Sequence, residues 1–387
     1  MDQGNTAFVL ISAALVLLMT PGLAFFYGGM VKAKSVVSMM MLSFGSLALI
    51  AVLWILYGYA IAFANAGSAT FFGIDGWFGI DTSFLGLEAQ VAESADPQGA
   101  FPSLAFVAFQ ATFAIITVAL ISGAIADRAK FGAWMVFAGL WATLVYFPVA
   151  NWVFNFTLED GKVVDGGWIV YNLGAIDFAG GTAVHINAGA AGLALAIILG
   201  KRFGFSKGIT QPHNVPLTLL GVALLWFGWF GFNAGSEVAA DGLASVAFIN
   251  TIGAPAAAML GWIFVEKLKH GKATSIGAGS GAIAGLVAIT PACASLDPVW
   301  ALLLGAVAGI LCALAVDLKF SFGFDDSLDV VGIHLVGGIV GTLWIGIFGN
   351  GVGAAFGFGF DQLAKQAIGA GAVLVLSLIH ISEPTRH

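Results

Sequence analysis

The chain alternates between long apolar runs and short polar clusters. Runs such as Val36–Ala64 and Leu104–Ala126 supply the roughly 20 apolar residues that a helix needs to cross about 30 Å of hydrocarbon. Breaking the sequence at its polar and turn-forming clusters predicts eleven spanning helices: 6–31, 36–64, 101–126, 131–154, 177–200, 215–234, 242–266, 274–292, 297–317, 328–350 and 362–380. The last has the weakest pattern. The fold class that follows is an all-α integral membrane protein.

Composition agrees with this. Of 387 residues, 59% are hydrophobic and 9% charged, and mean hydropathy is +0.98, whereas a soluble domain carries about 25% charged residues. The lipid bilayer is therefore the surface's main partner. Many of the 53 glycines lie inside the apolar runs, where small residues let helices approach closely. The net charge of −7 says little about partners, and no basic run is long enough to hold nucleic acid. Cys293 and Cys312 fall in or beside spans without metal spacing and are expected to be free thiols. Met1–Thr6 has no Lys or Arg, so the N-terminus does not read as a secretory signal.

Basic residues fix a topology. Lys32 and Lys34 follow the first span, Arg128 and Lys130 the third, Lys201, Arg202 and Lys207 the fifth, Lys267, Lys269 and Lys272 the seventh, and Lys319 the ninth. The loops between hold only Lys162, although 66–98 is long and acidic. Because cytoplasmic loops carry the excess of Lys and Arg, the N-terminus is expected outside and the C-terminus in the cytoplasm of a multi-pass cytoplasmic-membrane protein.

Ionisable groups inside spans are functional candidates because a charge there costs about 2.5 kcal/mol or more. His185 and His334 are the histidines interior to secure spans. Asp177-Phe-Ala-Gly-Gly-Thr-Ala-Val-His185 opens the fifth span and Asp326-Ser-Leu-Asp-Val-Val-Gly-Ile-His334 the tenth, with Gly189 and Gly338 each four residues further on. The two spans run in opposite directions. Eight residues rise about 12 Å along a helix, so both histidines are expected near the midplane of a membrane with a core of about 30 Å. His185 lies in the fifth span and His334 five spans later in the tenth, the pattern of an inverted 5+5 repeat plus a final helix, with the substrate path at the repeat interface. Repeat one is expected at about 6–200, repeat two at 215–350 and the last helix at 362–380, within a transmembrane domain of 1–380. Either histidine could instead bridge two helices by hydrogen bonds. Asp177 sits where a helix cap belongs, and a capping role is favoured over proton transfer.

At these residues the sequence resembles the ammonium transporter (Amt/Mep/Rh) family, in its bacterial Amt branch. The most specific stretch is Asp177 to His185 with Ile-Asn-Ala-Gly189 after it. Thr20-Pro-Gly-Leu-Ala-Phe-Phe-Tyr-Gly-Gly29, Phe109-Gln-Ala-Thr-Phe113-Ala, Gly228-Trp229-Phe-Gly-Phe232-Asn-Ala-Gly-Ser236, Gly281-Ala-Ile-Ala-Gly-Leu-Val287 and Asp329-Val-Val-Gly-Ile-His334 support it. The resemblance implies a homotrimer of eleven-helix protomers, each a channel or transporter for ammonium or ammonia (methylammonium as an analogue), without cofactor, metal or enzymatic activity. It sets Ser236 and an aromatic ring at an outer vestibule, Phe113 and Phe232 as a stacked gate with Phe109 close by, and His185 and His334 along an apolar lumen. Trp229 and Asp177 complete the set.

Two departures qualify it. The vestibule ring is usually a tryptophan at the outer end of the fourth span, where Phe154 aligns, with Trp152 or Trp168 as alternatives. The loop 155–165 that follows is long. The end of the chain, 378–387, does not read as family sequence, and its atypical tail 381–387 (Ile-Ser-Glu-Pro-Thr-Arg-His) suggests a truncation, a frameshift or an appended segment. A PII signalling protein, the tail's partner in many members, is an expectation this ending weakens. Two other functions compete: an ammonium sensor that transports little, and an intramembrane metal-dependent enzyme. The first generally carries a signalling domain that this sequence lacks. The second lacks a His-Glu-x-x-His helix.

Overall fold

A hydrocarbon interior offers no water to backbone N–H and C=O groups, so each apolar run satisfies them internally as a helix. The computed structural model describes residues 1–64, 78–97, 99–159, 162–205 and 212–382. Its long apolar helices are α1 (Gln3–Met30), α2 (Ala33–Ala62), α3 (Ser103–Ile125), α4 (Phe131–Phe154) and α5 (Gly181–Ile198). The second half holds α6 (Val215–Glu237), α7 (Gly242–His270), the shorter α8 (Ser275–Ile289), α9 (Pro298–Phe322), α10 (Val331–Phe348) and α11 (Asp361–Ile379). Every expected span has its helix, and the protein is an all-α, multi-pass membrane protein.

α1 packs along α6, and α5 packs against α10. Beyond the spans lie a short helix, Glu88–Ala95, and an antiparallel hairpin of β1 (Phe156–Glu159) and β2 (Lys162–Gly166). The hairpin accounts for the long loop after α4. The Glu93 carboxylate accepts the Ser103 N–H at 2.8 Å, satisfying a free donor at the start of α3. At one end of the bundle a cavity of about 790 Å³ gathers Lys32, Lys34, Arg128, Lys201, Arg202 and Lys319 from four separate stretches of chain. Of the tail expected at 381–387, residues from 383 on lie outside the described set.

Two boundaries need correction. Spans five and ten were expected to turn helical at about 177 and 328, but helix begins at Gly181 and Val331. The lead-ins are irregular, with Gly180 at φ +109° and Asp329 at φ +63°. Irregular backbone survives at this depth only where protein groups satisfy it. Ahead of α5, part of that is done by Gln366 of α11: its Oε1 accepts the Ile176 N–H at 2.7 Å, and its Nε2 donates to the carbonyls of Ile176 at 2.7 Å and, within α10, of Thr342 at 3.1 Å. Ser377 Oγ donates to the Asn187 carbonyl at 2.9 Å. The span with the weakest sequence pattern thus binds the two central helices together.

Candidate functional site

α5 and α10 both open in wide π-helical turns, Gly181–Ile186 and Val331–Leu335, and each histidine lies in its turn. Such turns recur at functional positions because they displace side chains from the ordinary helical spacing. A carboxylate holds each opening. Asp177 Oδ1 accepts the Gly180 and Gly181 N–H groups at 2.9 and 2.6 Å, and Oδ2 those of Thr182 and Ala183 at 2.8 and 3.3 Å. The Thr182 hydroxyl also donates to Oδ2. Asp326 accepts from Val330 at 3.2 Å and Val331 at 2.7 Å. Burial pushes the Asp326 carboxyl up to about 6, against the opposing pull of Lys319.

The opposed helices come close because of the glycines after each histidine. A Cβ on Gly189 would lie 2.5 Å from the Leu335 nitrogen, and one on Gly338 would lie 3.0 Å from the Gly181 carbonyl and 3.2 Å from His185 Cβ. With both positions bare, His185 Nδ1 and His334 Nδ1 stand 3.2 Å apart, their rings stacked at 5.3 Å. A hydrogen bond between two such nitrogens requires one to carry hydrogen and the other to accept. His185 Nε2 is buried and has no protein partner among the described residues.

From this pair a continuous row of buried rings runs back through the bundle. His185 stacks at 6.0 Å on Phe232 and at 5.5 Å on Trp229. Phe232 stacks on Phe113 at 4.1 Å and 17°, and Phe113 meets Phe109 edge-on at 4.8 Å. Trp229 Nε1 donates to Thr290 Oγ1 at 2.9 Å, which fixes the indole beside His185. Beyond Phe232, the half-buried Ser236 donates its hydroxyl hydrogen to the Phe232 carbonyl at 2.8 Å. The lone pairs of Ser236 Oγ remain available to a cation's N–H.

The three candidates for the outer ring separate. Phe154 packs edge-on against Phe113 at 6.0 Å, while Trp152 and Trp168 pair with each other at 5.5 Å. Thus Phe109, Phe113, Phe154, Trp229, Phe232, His185 and His334 form one connected group, with Ser236 joined through its bond to Phe232. Asp177 stands apart, its oxygens turned to the α5 N-terminus. Among the described residues no cluster of three His, Cys, Asp or Glu side chains forms. Pattern reading missed Thr290 and Gln366. A threonine in an apolar span gives no signal by itself, whereas the lone amide of Gln366 at the start of α11 could have marked a helix–helix bond.

Residues 7–382 match the model of the Ammonium Transporter Family. The ammonium transporter of Mycobacterium tuberculosis is 57% identical over 396 residues, covering 97% of this chain and 82% of the relative. That of Bacillus subtilis is 46% identical, covering 98% and 90%. Among solved structures, Saccharomyces cerevisiae Mep2 superposes with a TM-score of 0.87 at 34% identity, covering 99% of this chain and 87% of Mep2. A structure titled Sensor Amt Protein superposes at 0.86 with 27% identity, covering 98% and 91%.

Proposed function

This chain belongs to the ammonium transporter family, and from that premise we propose that it holds ammonium at an outer aromatic site, strips its proton and passes ammonia along the histidine pair. The observation that carries the proposal is the unbroken row of rings leading from the Ser236 end to the Nδ1–Nδ1 contact.

The chemistry of each station suits the cargo. Ser236 Oγ accepts one N–H of the cation, and the faces of Phe113 and Phe154 attract it by cation–π interaction, worth about 0.5–2 kcal/mol. Further in, the row is apolar, and a group that stays charged there is penalised by several kcal/mol. Potassium has no proton to give up and stops. Ammonium leaves its proton behind and enters as ammonia. The tautomer relation of the imidazoles then matters: with one Nδ1 protonated and the other not, one Nε2 donates and the other accepts. Ammonia, both donor and acceptor, finds a partner of each kind. The proton either returns to the outer side or follows along the imidazoles, which are suited to proton transfer near neutral pH.

In this reading the protein sits in the cytoplasmic membrane as a homotrimer with one path per protomer. The N-terminus faces outward, and the basic cavity opens to the cytoplasm. Segments 6–200 and 215–350 are the two inverted halves, and α11 closes the bundle. Asp177 caps α5 and does not handle protons.

The test is uptake by proteoliposomes containing the purified protein, with current and internal pH recorded together. Saturable uptake of ammonium or methylammonium above that of empty liposomes is expected. Uptake equal to empty liposomes would end the transport reading and leave that of a sensor. Current with each molecule moved assigns the proton to the same path, and alkalinisation without current assigns it to the outer side.

A further inference from the structure

At the basic end of the bundle one guanidinium touches the ends of three elements that bear site residues. Arg128 Nη1 donates to the Gly200 carbonyl just after α5, the helix of His185. Its Nη2 donates to the Ala124 carbonyl in the last turn of α3, the helix of Phe113. Nη2 also reaches the Asp325 carbonyl at 2.5 Å and Ser327 Oγ at 3.1 Å, in the irregular lead-in to α10 and His334. We propose that Arg128 is a positioning residue for the histidine pair, setting the separation of α3, α5 and the α10 lead-in and through them the His185–His334 contact.

Charge balance does not explain this side chain. The Asp325 carboxylate is already held by Arg202, whose Nε donates to its two oxygens at 3.2 and 2.9 Å and whose Nη2 donates at 2.8 Å. Arg128 stands 3.9 Å from the same carboxylate and directs its donors to carbonyls instead. Burial pushes the Asp325 carboxyl up, and the Arg202 bonds and charge, with that of Arg128, outweigh this and hold it below its ordinary value. The arginine–aspartate pair would therefore survive the loss of Arg128, whereas the three carbonyls would lose their shared donor.

The path from this node to His334 is short and rigid. The Ser327 N–H donates to the Ala124 carbonyl at 3.2 Å and its hydroxyl to the Ala126 carbonyl at 3.1 Å. Asp326 between them caps the turn that contains His334. A shift at residues 325–327 is thus carried directly into the imidazole. A guanidinium spreads its N–H groups over a planar fork and so reaches acceptors on three segments that lie apart. A lysine supplies the same charge, but its three donors radiate from one nitrogen and do not span that spread.

The proposal rests on the transport reading for its rate measurement but not for its spectroscopic one. In proteoliposomes, Arg128→Lys is expected to leave the KM for methylammonium within about twofold and lower maximal uptake about tenfold, less than the roughly hundredfold that a full 1 Å misplacement of reacting groups can cost. In ¹⁵N-histidine-labelled protein in detergent, the signature of the His185–His334 hydrogen bond, assigned by its loss in His185→Gln, should weaken or vanish. Ser327→Ala, which removes the hydroxyl's contacts with Arg128 and with the Ala126 carbonyl, should move both readouts the same way by a smaller factor. Wild-type maximal uptake in Arg128→Lys would overturn the proposal, as would a wild-type imidazole spectrum in folded variant protein. Should Arg128→Lys fail to fold, Ser327→Ala decides, and wild-type values in both readouts would overturn it. Absence of uptake by the unsubstituted protein would instead sink the transport reading and leave the spectrum to judge the brace.

Discussion

His185 and His334 meet through identical atoms, Nδ1 to Nδ1 at 3.2 Å, so a hydrogen bond between them requires one Nδ1 to carry the hydrogen and the other to accept it. Replacing either removes the hydrogen bond that joins them. His185→Gln and His334→Gln are each expected to reduce the initial rate of methylammonium uptake by about tenfold or more, in keeping with the loss of a positioned proton-transfer group. The check is initial-rate uptake at equal amounts of folded protein. A variant that keeps the wild-type rate would return its histidine to the role of a helix bridge.

Phe154 makes ring contact with Phe113, whereas Trp152 and Trp168 pair with each other. If Phe154 completes the outer site, Phe154→Leu removes a cation–π contact worth about 1 kcal/mol and raises the KM for ammonium about fivefold. Trp152→Leu and Trp168→Leu should leave KM unchanged. Competition uptake assays separate the three.

Ser236 offers its lone pairs because its hydrogen is committed to the Phe232 carbonyl. Ser236→Ala is expected to raise KM about fivefold with little change in maximal rate, because a single hydrogen bond to the arriving cation is lost.

Asp177 presents a stability question. Its carboxylate accepts four backbone N–H groups at the start of α5. Asp177→Ala leaves them unpaired and should cost about 1–2 kcal/mol, seen as a lower melting temperature in detergent. Asp177→Asn keeps one acceptor oxygen and should lose less. Abolished uptake in Asp177→Asn with an unchanged melting temperature would make Asp177 a proton carrier after all.

Asp326 carries a pH dependence of definite sign. Its carboxyl is raised to about 6 in the folded protein, chiefly by burial. The folded state therefore binds this proton more tightly than the unfolded state, and stability from this group falls as pH rises from about 4 toward 6. Asp326→Asn should flatten that segment of the stability profile, and thermal unfolding between pH 4 and 7 measures it. A profile unchanged by the substitution would assign the slope to other groups.

Much of the fold could be read along the chain. Span count and the placing of the two histidines inside spans follow from apolar length and spacing, because the membrane permits few alternatives to a helix about 20 residues long. The helix starts at Gly181 and Val331 could not be read that way. The residues at 177–180 and 326–330 look helical in pattern, but Asp177 and Asp326 at their starts take up the first N–H groups of the following turns, and Gln366 from α11 pairs with the Ile176 backbone just ahead of the first. Phe113 and Phe232 were legible only by resemblance, since in a chain with 33 phenylalanines spacing does not single them out.

The sequence by itself determined that this is an eleven-span membrane protein with two histidines on opposed central helices, since burial of apolar length is a local property of each segment. Only the tertiary structure decided which atoms of those histidines meet, which ring lies against Phe113 and that Arg128 ties three segments together. Those outcomes depend on contacts between residues far apart in the chain, on glycines that let α5 and α10 approach and on where unpaired backbone groups find partners.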